Sequence, residues 1–440
     1  MPKLSLLFHA SRPPKRNVVF LWRSQARRFA AIATVLLSCF WLYACQPRLS
    51  WGEEQKLLAQ VWTTVDRAYV DATFNGQDWW AVKQEYLRHP MPTMAAAIEQ
   101  IESMLATLDD PFTRFLDPDR YRSLQASTAG ELNGVGLQIA TDETGAVRVI
   151  APLENTPADR AGLQPEDAIE AIDDIPVTDL NLDEIAARLR GTTGTQVRLA
   201  LLRGDRHFEV ALTREAIAIN PVRFKLLPRT IGRQAVAYIR LSQFNANAVS
   251  EMREAIRQAQ ERAVAGYILD LRGNPGGLLQ AGIEIAQMWL SDGPIVYTVD
   301  RNGIRDSVAS TPETLTDAPL VVLVDRGSAS ASEVLAGALQ DSGRAILVGT
   351  RTFGKGLIQS LFDLPDGSGL AVTVAQYATP SGRDINKLGI EPDVIVTLTG
   401  DAPLRRDRVA TEKDPQFVKA LEVLNRPQAN KTQANKARAA

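Results

Sequence analysis

Residues 319–335 read Pro319-Leu320-Val321-Val322-Leu323-Val324-Asp325-Arg326-Gly327-Ser328-Ala329-Ser330-Ala331-Ser332-Glu333-Val334-Leu335. An apolar strand runs into a tight turn of small residues, and a helix starts at once. Strands that hand over directly to helices build α/β sheets. A serine at such a junction lies at a helix N-terminus, where free N–H groups and the dipole stabilise developing negative charge. The logic is that of a nucleophile elbow without its G-x-S-x-G sequence. A plainer reading fits the same residues, because Ser330-x-x-Glu333 is a capping box and small residues suit any such turn.

Two neighbouring segments repeat the pattern. The strand Gly266–Leu271 carries Asp270-Leu271-Arg272-Gly273-Asn274-Pro275-Gly276-Gly277, which is either a tight turn or a glycine loop whose N–H groups face a substrate. The strand Ala345–Val348 leads into Gly349-Thr350-Arg351-Thr352-Phe353-Gly354-Lys355-Gly356, nearly a P-loop. Gly356 stands where Ser or Thr should hold magnesium, and Leu357 to Leu364 do not set up the long helix that should follow. Taken alone, Lys355 reads as a solvated turn residue. Strands at Val236–Leu241 and Leu370–Tyr377 and helices at Ala248–Ala263, Leu279–Leu290 and Ser330–Leu339 extend the alternation, giving an α/β core over 217–400.

Upstream the period changes. Short strands from Gly134 to Ile139, Val147 to Ile150, Ala168 to Ile172, Val197 to Leu202 and His207 to Leu212 alternate with helices near Pro157–Ala161 and Leu182–Leu189, one compact module over 131–216. Before it, helical spacing of Leu57, Leu58, Val61, Trp62, Val65 and Tyr69, then runs at Trp79–Leu87 and Thr93–Leu108, predicts a helical domain over 50–130. Ser50 and Glu53 form its opening capping box, and Trp62, Trp79 and Trp80 read as core. Residues 1–45 hold seven basic residues and no acidic one, then sixteen uncharged residues from Phe29 to Ala44. They read as a signal peptide, with an uncleaved membrane anchor as the alternative. The stretch 401–440 loses all periodicity and reads as a polar, disordered tail.

Composition narrows the chemistry. Removing the seven leader bases from 49 leaves 42 against 51 acidic residues, near −9, which argues against nucleic acid as the main partner. Of three histidines and two cysteines, His9, Cys39 and Cys45 lie in the leader, leaving His89 and His207. That is too few for a zinc ribbon, a His-rich metal site or a disulfide framework. A nucleophilic Ser330 would need another base. Lysine serves when desolvation keeps some of it neutral, and Lys355 is available downstream.

In this order after a Gly134-Val135-Gly136-Leu137 module, the Asp270–Gly277, Gly327–Glu333 and Phe353–Ser360 segments together resemble the carboxyl-terminal processing peptidases. Glu53 to Leu58, Trp79-Trp80, Met104 to Leu108 and Leu241 to Phe244 are most similar to the cyanobacterial and chloroplast branch, which trims the C-terminal extension of the D1 protein of photosystem II. The resemblance implies a helical N-terminal domain, an inserted PDZ domain and an α/β serine protease core. It implies Ser330 as nucleophile, Lys355 as general base and Gln359 as the residue orienting the lysine, on the same side if that segment is helical. The N–H groups of Gly276 and Ala331 become the oxyanion hole. Gly134, Val135, Gly136 and Leu137 would grip a substrate's free C-terminal carboxylate, with Ile139 lining the groove, and Arg190-Gly191 either links occupancy to the core or is a solvated turn. No metal or cofactor is implied. The partner is a protein with a free C-terminus, the location the thylakoid lumen or periplasm, with membrane association through the leader as an option. Asp325, where related sequences often carry Asn, would add charge near Lys355. A broad tail-specific envelope protease, a non-catalytic PDZ scaffold and, more weakly, a nucleotide hydrolase stand as rivals.

Overall fold

A computed structural model describes residues 51–142, 145–153, 155–231, 234–303, 305–398 and 408–425. The expected leader lies outside them.

The central sheet has six strands in the order Val222–Ile231, Gln234–Leu241, Gly266–Asp270, Leu320–Val324, Ala345–Gly349 and Val394–Ile395. The first pair is antiparallel and every later pair parallel. Parallel neighbours need crossovers, and crossovers of one hand that step in one direction stack on one face. Helices Ala248–Glu261, Leu279–Gln287 and Ala331–Asp341 share a core with Ile239, Leu269, Val322 and Leu347. The opposite face presents Tyr238, Ile268, Val321 and Leu323, covered by helix Pro415–Asn425 through Phe417, Ala420 and Val423.

That helix corrects the expected disordered tail over 401–440, at least for residues 408–425. The Gln/Asn/Lys run beyond it dominated the composition, whereas Phe417, Ala420 and Val423 recur at helical spacing behind Asp414, whose carboxylate accepts the Phe417 N–H at 3.1 Å. A parallel sheet apolar on both faces needs a cover on both.

A second, antiparallel sheet pairs Arg114–Leu116, Pro294–Asp300 and Leu357–Asp363 with Gly369–Ala378, and Arg305–Ala309 with Pro294–Asp300. The helical domain packs on it. Leu58, Val61, Trp62, Val65, Ile101 and Met104 share a core with Leu370 and Val372. The segment 50–130 therefore lends one strand to the second sheet instead of folding as a separate helical body. Trp62 and Trp79 are buried as expected, and the Trp62 indole donates to the Trp79 carbonyl at 2.7 Å. Trp80 is not core: it is 61% exposed, with the Lys83 ammonium 5.3 Å from its ring.

The inserted module orders its strands as Leu137–Thr141, Val147–Pro152, Ala168–Ile172, Gln196–Arg203 and Arg206–Thr213 around its own core of Val149, Ile169, Ile185, Val197 and Leu199. Its helix Leu182–Leu189 starts on an Asn181/Glu184 capping box. An antiparallel ribbon, Glu131–Gly134 against Glu215–Ala218, carries the chain in and out.

Candidate active site

Three adjacent parallel strands end at the glycine loop, the serine turn and the lysine loop, the edge where open α/β sheets place their ligands. Ser330 is the sharpest point of this edge. It has φ 57° and ψ −117°, a conformation unfavourable for any residue with a Cβ, and Ala331 begins the helix after it. Gly276 (φ 98°) fits beneath it because it lacks a side chain: a Cβ there would stand 2.8 Å from the Ser330 Cβ and 3.0 Å from the Ala331 nitrogen. The sequence-predicted trio of Ser330, Gly276 and Ala331 is thus brought together.

The loops that hold this trio are bonded to one another. The Asn274 carbonyl accepts the Ala329 N–H at 3.0 Å and the Ser332 hydroxyl at 2.9 Å, and the Leu271 carbonyl accepts the Ser328 hydroxyl at 2.8 Å. The Gly276 N–H donates to the Asn274 side-chain oxygen at 2.9 Å, and the Gly276 carbonyl accepts the Phe244 N–H at 2.9 Å. Asp325 is committed to the loop backbone. Its carboxylate accepts the N–H groups of Gly273 at 2.8 Å and Gly327 at 2.9 Å, joining two loops, and it is not among the charges that shift the lysine.

Glu333 is fully buried and reaches further than a capping box does. It accepts the Ser330 N–H at 2.9 Å, the Lys355 N–H at 2.8 Å, the Gly354 N–H at 2.7 Å and the Thr352 hydroxyl at 2.5 Å. One carboxylate therefore sets the distance between the backbone of the serine turn and that of the lysine loop.

The Lys355 ammonium lies 4.8 Å from the centroid of the Phe112 ring and makes no hydrogen bond to Ser330 or Gln359. Burial is the main cause that pushes its pKa below the ordinary lysine value, and the Arg114 cation adds to it, while Asp110 and Glu333 pull the other way. Asp110 itself is held by the Phe112 N–H at 3.0 Å and the hydroxyls of Thr113 and Thr373, each at 2.7 Å. Gln359 departs from expectation. The segment after Lys355 is the strand Leu357–Asp363, with a register shift between Ile358 and Gln359, so the helical i, i+4 relation to Lys355 does not hold. The Gln359 amide nitrogen is buried without a hydrogen-bond partner. That strand also removes the long helix a P-loop requires.

Four neighbours escaped the sequence reading. Phe112 and Arg114 come from the end of the helical domain. Thr352 links Glu333 to the Ile390 N–H, which it accepts at 2.7 Å. Tyr377 is buried, donates its hydroxyl to the Lys355 carbonyl and faces the Ser330 side chain; burial drives its pKa far up. Thr352 left a trace only as a member of the near-P-loop segment, and Tyr377 only as the end of an expected strand. His89 pairs with Gln100 at 2.6 Å and His207 with Glu170 at 2.8 Å, each at an exposed position, so neither serves this edge.

In the inserted module Gly136 (φ 80°) leaves no room for a side chain, since a Cβ would come within 2.2 Å of the Thr156 hydroxyl. The Val135 carbonyl accepts the Ala158 N–H at 2.9 Å and the Gly136 carbonyl the Leu153 N–H at 2.8 Å. In a trans peptide C=O and N–H point oppositely. The N–H groups of Gly136 and Leu137 therefore turn away from that segment, next to the half-buried Leu137 and Ile139 that pack on the module core. Gly134 ends the connecting ribbon, opposite Glu215, where a Cβ would stand 3.3 Å from the Leu189 carbonyl.

Most of the chain is similar to known proteins. The family model for peptidase family S41 matches residues 235–396, and a PDZ domain model matches residues 148–203. The chain is 50% identical over 406 residues to a carboxyl-terminal-processing protease of Synechocystis sp. (strain ATCC 27184 / PCC 6803 / Kazusa), covering 91% of this chain and 94% of that protein. It is 44% identical to the chloroplastic carboxyl-terminal-processing peptidase 2 of Arabidopsis thaliana, covering 86% and 76%. Among solved structures, a photosystem II D1 C-terminal processing protease matches with TM-score 0.56 and 41% identity, covering 86% of this chain and 99% of that one. A multidomain α/β serine peptidase with an inserted PDZ domain is what this fold and these matches define. The chain belongs to the carboxyl-terminal-processing proteases of peptidase family S41.

Proposed function

We propose that this peptidase removes a C-terminal extension from the D1 protein of photosystem II, working in the thylakoid lumen or periplasm. In this reading the PDZ loop Gly134–Leu137 receives the substrate's terminal carboxylate on the Gly136 and Leu137 N–H groups, and the peptide pairs along Leu137–Thr141. Ser330 Oγ attacks an upstream carbonyl while neutral Lys355 takes its proton. The oxyanion rests on the N–H groups of Ala331 and Gly276, the latter exchanging its bond to Asn274 for the incoming charge. The Lys355 ammonium then gives its proton to the leaving amine, and a water activated by the same lysine releases the acyl chain. Gln359 supplies a polar partner for the lysine once it leaves the Phe112 ring; apo catalytic contacts are commonly loose and tighten with substrate.

The observation that carries the catalytic reading is the positive-φ elbow at Ser330 with Gly276 and Ala331 packed beneath it. The D1 substrate is supported by the similarity to the solved D1 processing protease and to cyanobacterial and chloroplastic relatives. Mass spectrometry of products from a precursor D1 tail peptide and from unrelated apolar-ended peptides tests it. Selective cleavage of the D1 tail, lost in Ser330→Ala, is expected; equal cleavage of both would replace it with a broad tail-specific protease.

A further inference from the structure

The match to family S41 ends at residue 396, yet the glycine loop is anchored from beyond it. Arg272, four residues before Gly276, turns its guanidinium away from Ser330 and into the far side of the sheet. All five of its N–H groups are engaged there. Two go to Asp270, at 2.9 and 2.7 Å, two to the Asp414 carboxylate at 2.9 and 2.8 Å, and one to the Gln416 side-chain oxygen at 3.0 Å. Arg272 is 5% exposed, Asp270 and Asp414 not at all, and Gln416 1%. The Arg272 carbonyl is held as well, by the Arg240 guanidinium at 3.2 Å.

The outer partners are themselves fixed. Asp414 accepts the N–H groups of Ala410 at 3.2 Å and Phe417 at 3.1 Å, and the Gln416 amide donates to the Val396 carbonyl at 2.8 Å. A planar fork filled by two carboxylates and an amide has one orientation, and it transmits that orientation to the backbone that bears it. Displacements of about 1 Å at reacting groups cost on the order of 100-fold in rate.

We propose that Asp414 and Gln416, in the C-terminal segment, are positioning residues that set the Gly276 N–H through Arg272. This rests on Gly276 serving the oxyanion, as proposed above. Asp414→Asn retains a helix cap but leaves the buried guanidinium half paired. It should lower kcat on a D1 tail peptide at least 30-fold while KM stays within twofold. Gln416→Leu should lower kcat about fivefold, and it carries the test if Asp414→Asn fails to fold. Val423→Ala, on the same helix but remote from Arg272, controls for lost packing: its melting temperature should fall with kcat within twofold of wild type. Unchanged kcat in folded Asp414→Asn, or an equal fall in Val423→Ala, would overturn the proposal. Cleavage that survives Ser330→Ala would instead refute the catalytic reading on which it rests.

Discussion

Around Ser330 the polar groups are tied down: Asn274, Ser328, Ser332 and Asp325 lock two loops together, and the Gly276 N–H, one of the two proposed oxyanion donors, has the Asn274 side-chain oxygen as its acceptor. Around Lys355 the backbone is equally held, by Glu333, but the side chains are not. The ammonium rests on an aromatic face, and the Gln359 amide nitrogen is buried with no partner. The geometry of Ser330, the proposed nucleophile, is thus part of the fold, whereas Lys355, the proposed base, has a fixed root and an uncommitted end. A buried unsatisfied amide costs stability, typically ~1–3 kcal/mol. Its retention is understandable if the partner arrives in the reactive state.

The largest effects should come from removing either end of the pair. Ser330→Ala and Lys355→Ala should each lower kcat by ~10⁴-fold or more with the fold intact, read by product mass spectrometry and circular dichroism. Near-normal turnover in Lys355→Ala would break the contrast at once. Next, Gln359→Leu should lower kcat by roughly 100-fold while leaving thermal stability unchanged or about 1 kcal/mol higher, because it deletes an unpaired buried amide. A marked loss of stability would mean that the amide is satisfied at rest.

Arg114→Gln sharpens the comparison through pH. Burial and the Arg114 cation both lower the Lys355 pKa, so the neutral amine, and with it activity, grows as pH rises through the folded value. Removing Arg114 raises that value and should move the ascending limb of the kcat profile to higher pH by a fraction of a unit. The stability sign is separate. A lysine depressed on folding binds fewer protons in the folded than in the unfolded state, so its contribution opposes folding below the folded pKa and vanishes above the unfolded one. Arg114→Gln should ease that penalty slightly. The smallest effect is expected for Asp325→Asn: an amide oxygen still accepts the Gly273 and Gly327 N–H groups, so kcat and its pH profile should stay within twofold.

The contrast also tracks what could be read from the amino-acid order. Strand Leu320–Val324, its turn and helix Ala331–Asp341 are local, so short-range pattern put Ser330 and Ala331 at the junction where the structure has them. Lys355 and Gly276 were found through motifs at other strand ends. Phe112 and Arg114 meet Lys355 only because the second sheet pairs Arg114–Leu116 with Gly369–Ala371, more than 250 residues away, and Tyr377 meets it because Leu357–Asp363 pairs with Gly369–Ala378. Periodicity does not report such pairings. The strands Arg305–Ala309 and Leu357–Asp363 were missed for a related reason: Arg305-Asp306-Ser307 and Gln359-Ser360 interrupt the apolar run that marks a buried strand. The helix Pro415–Asn425 was hidden by the polar run after it.

That last helix has a consequence in time. Chains are made from the N-terminus, and domains fold as they become complete. The far face of the central sheet stays bare, and the Arg272 fork half empty, until residues 410–425 have been made and delivered. A peptidase that processes carboxyl ends would then acquire its full rate only when its own segment 410–425 has been put away.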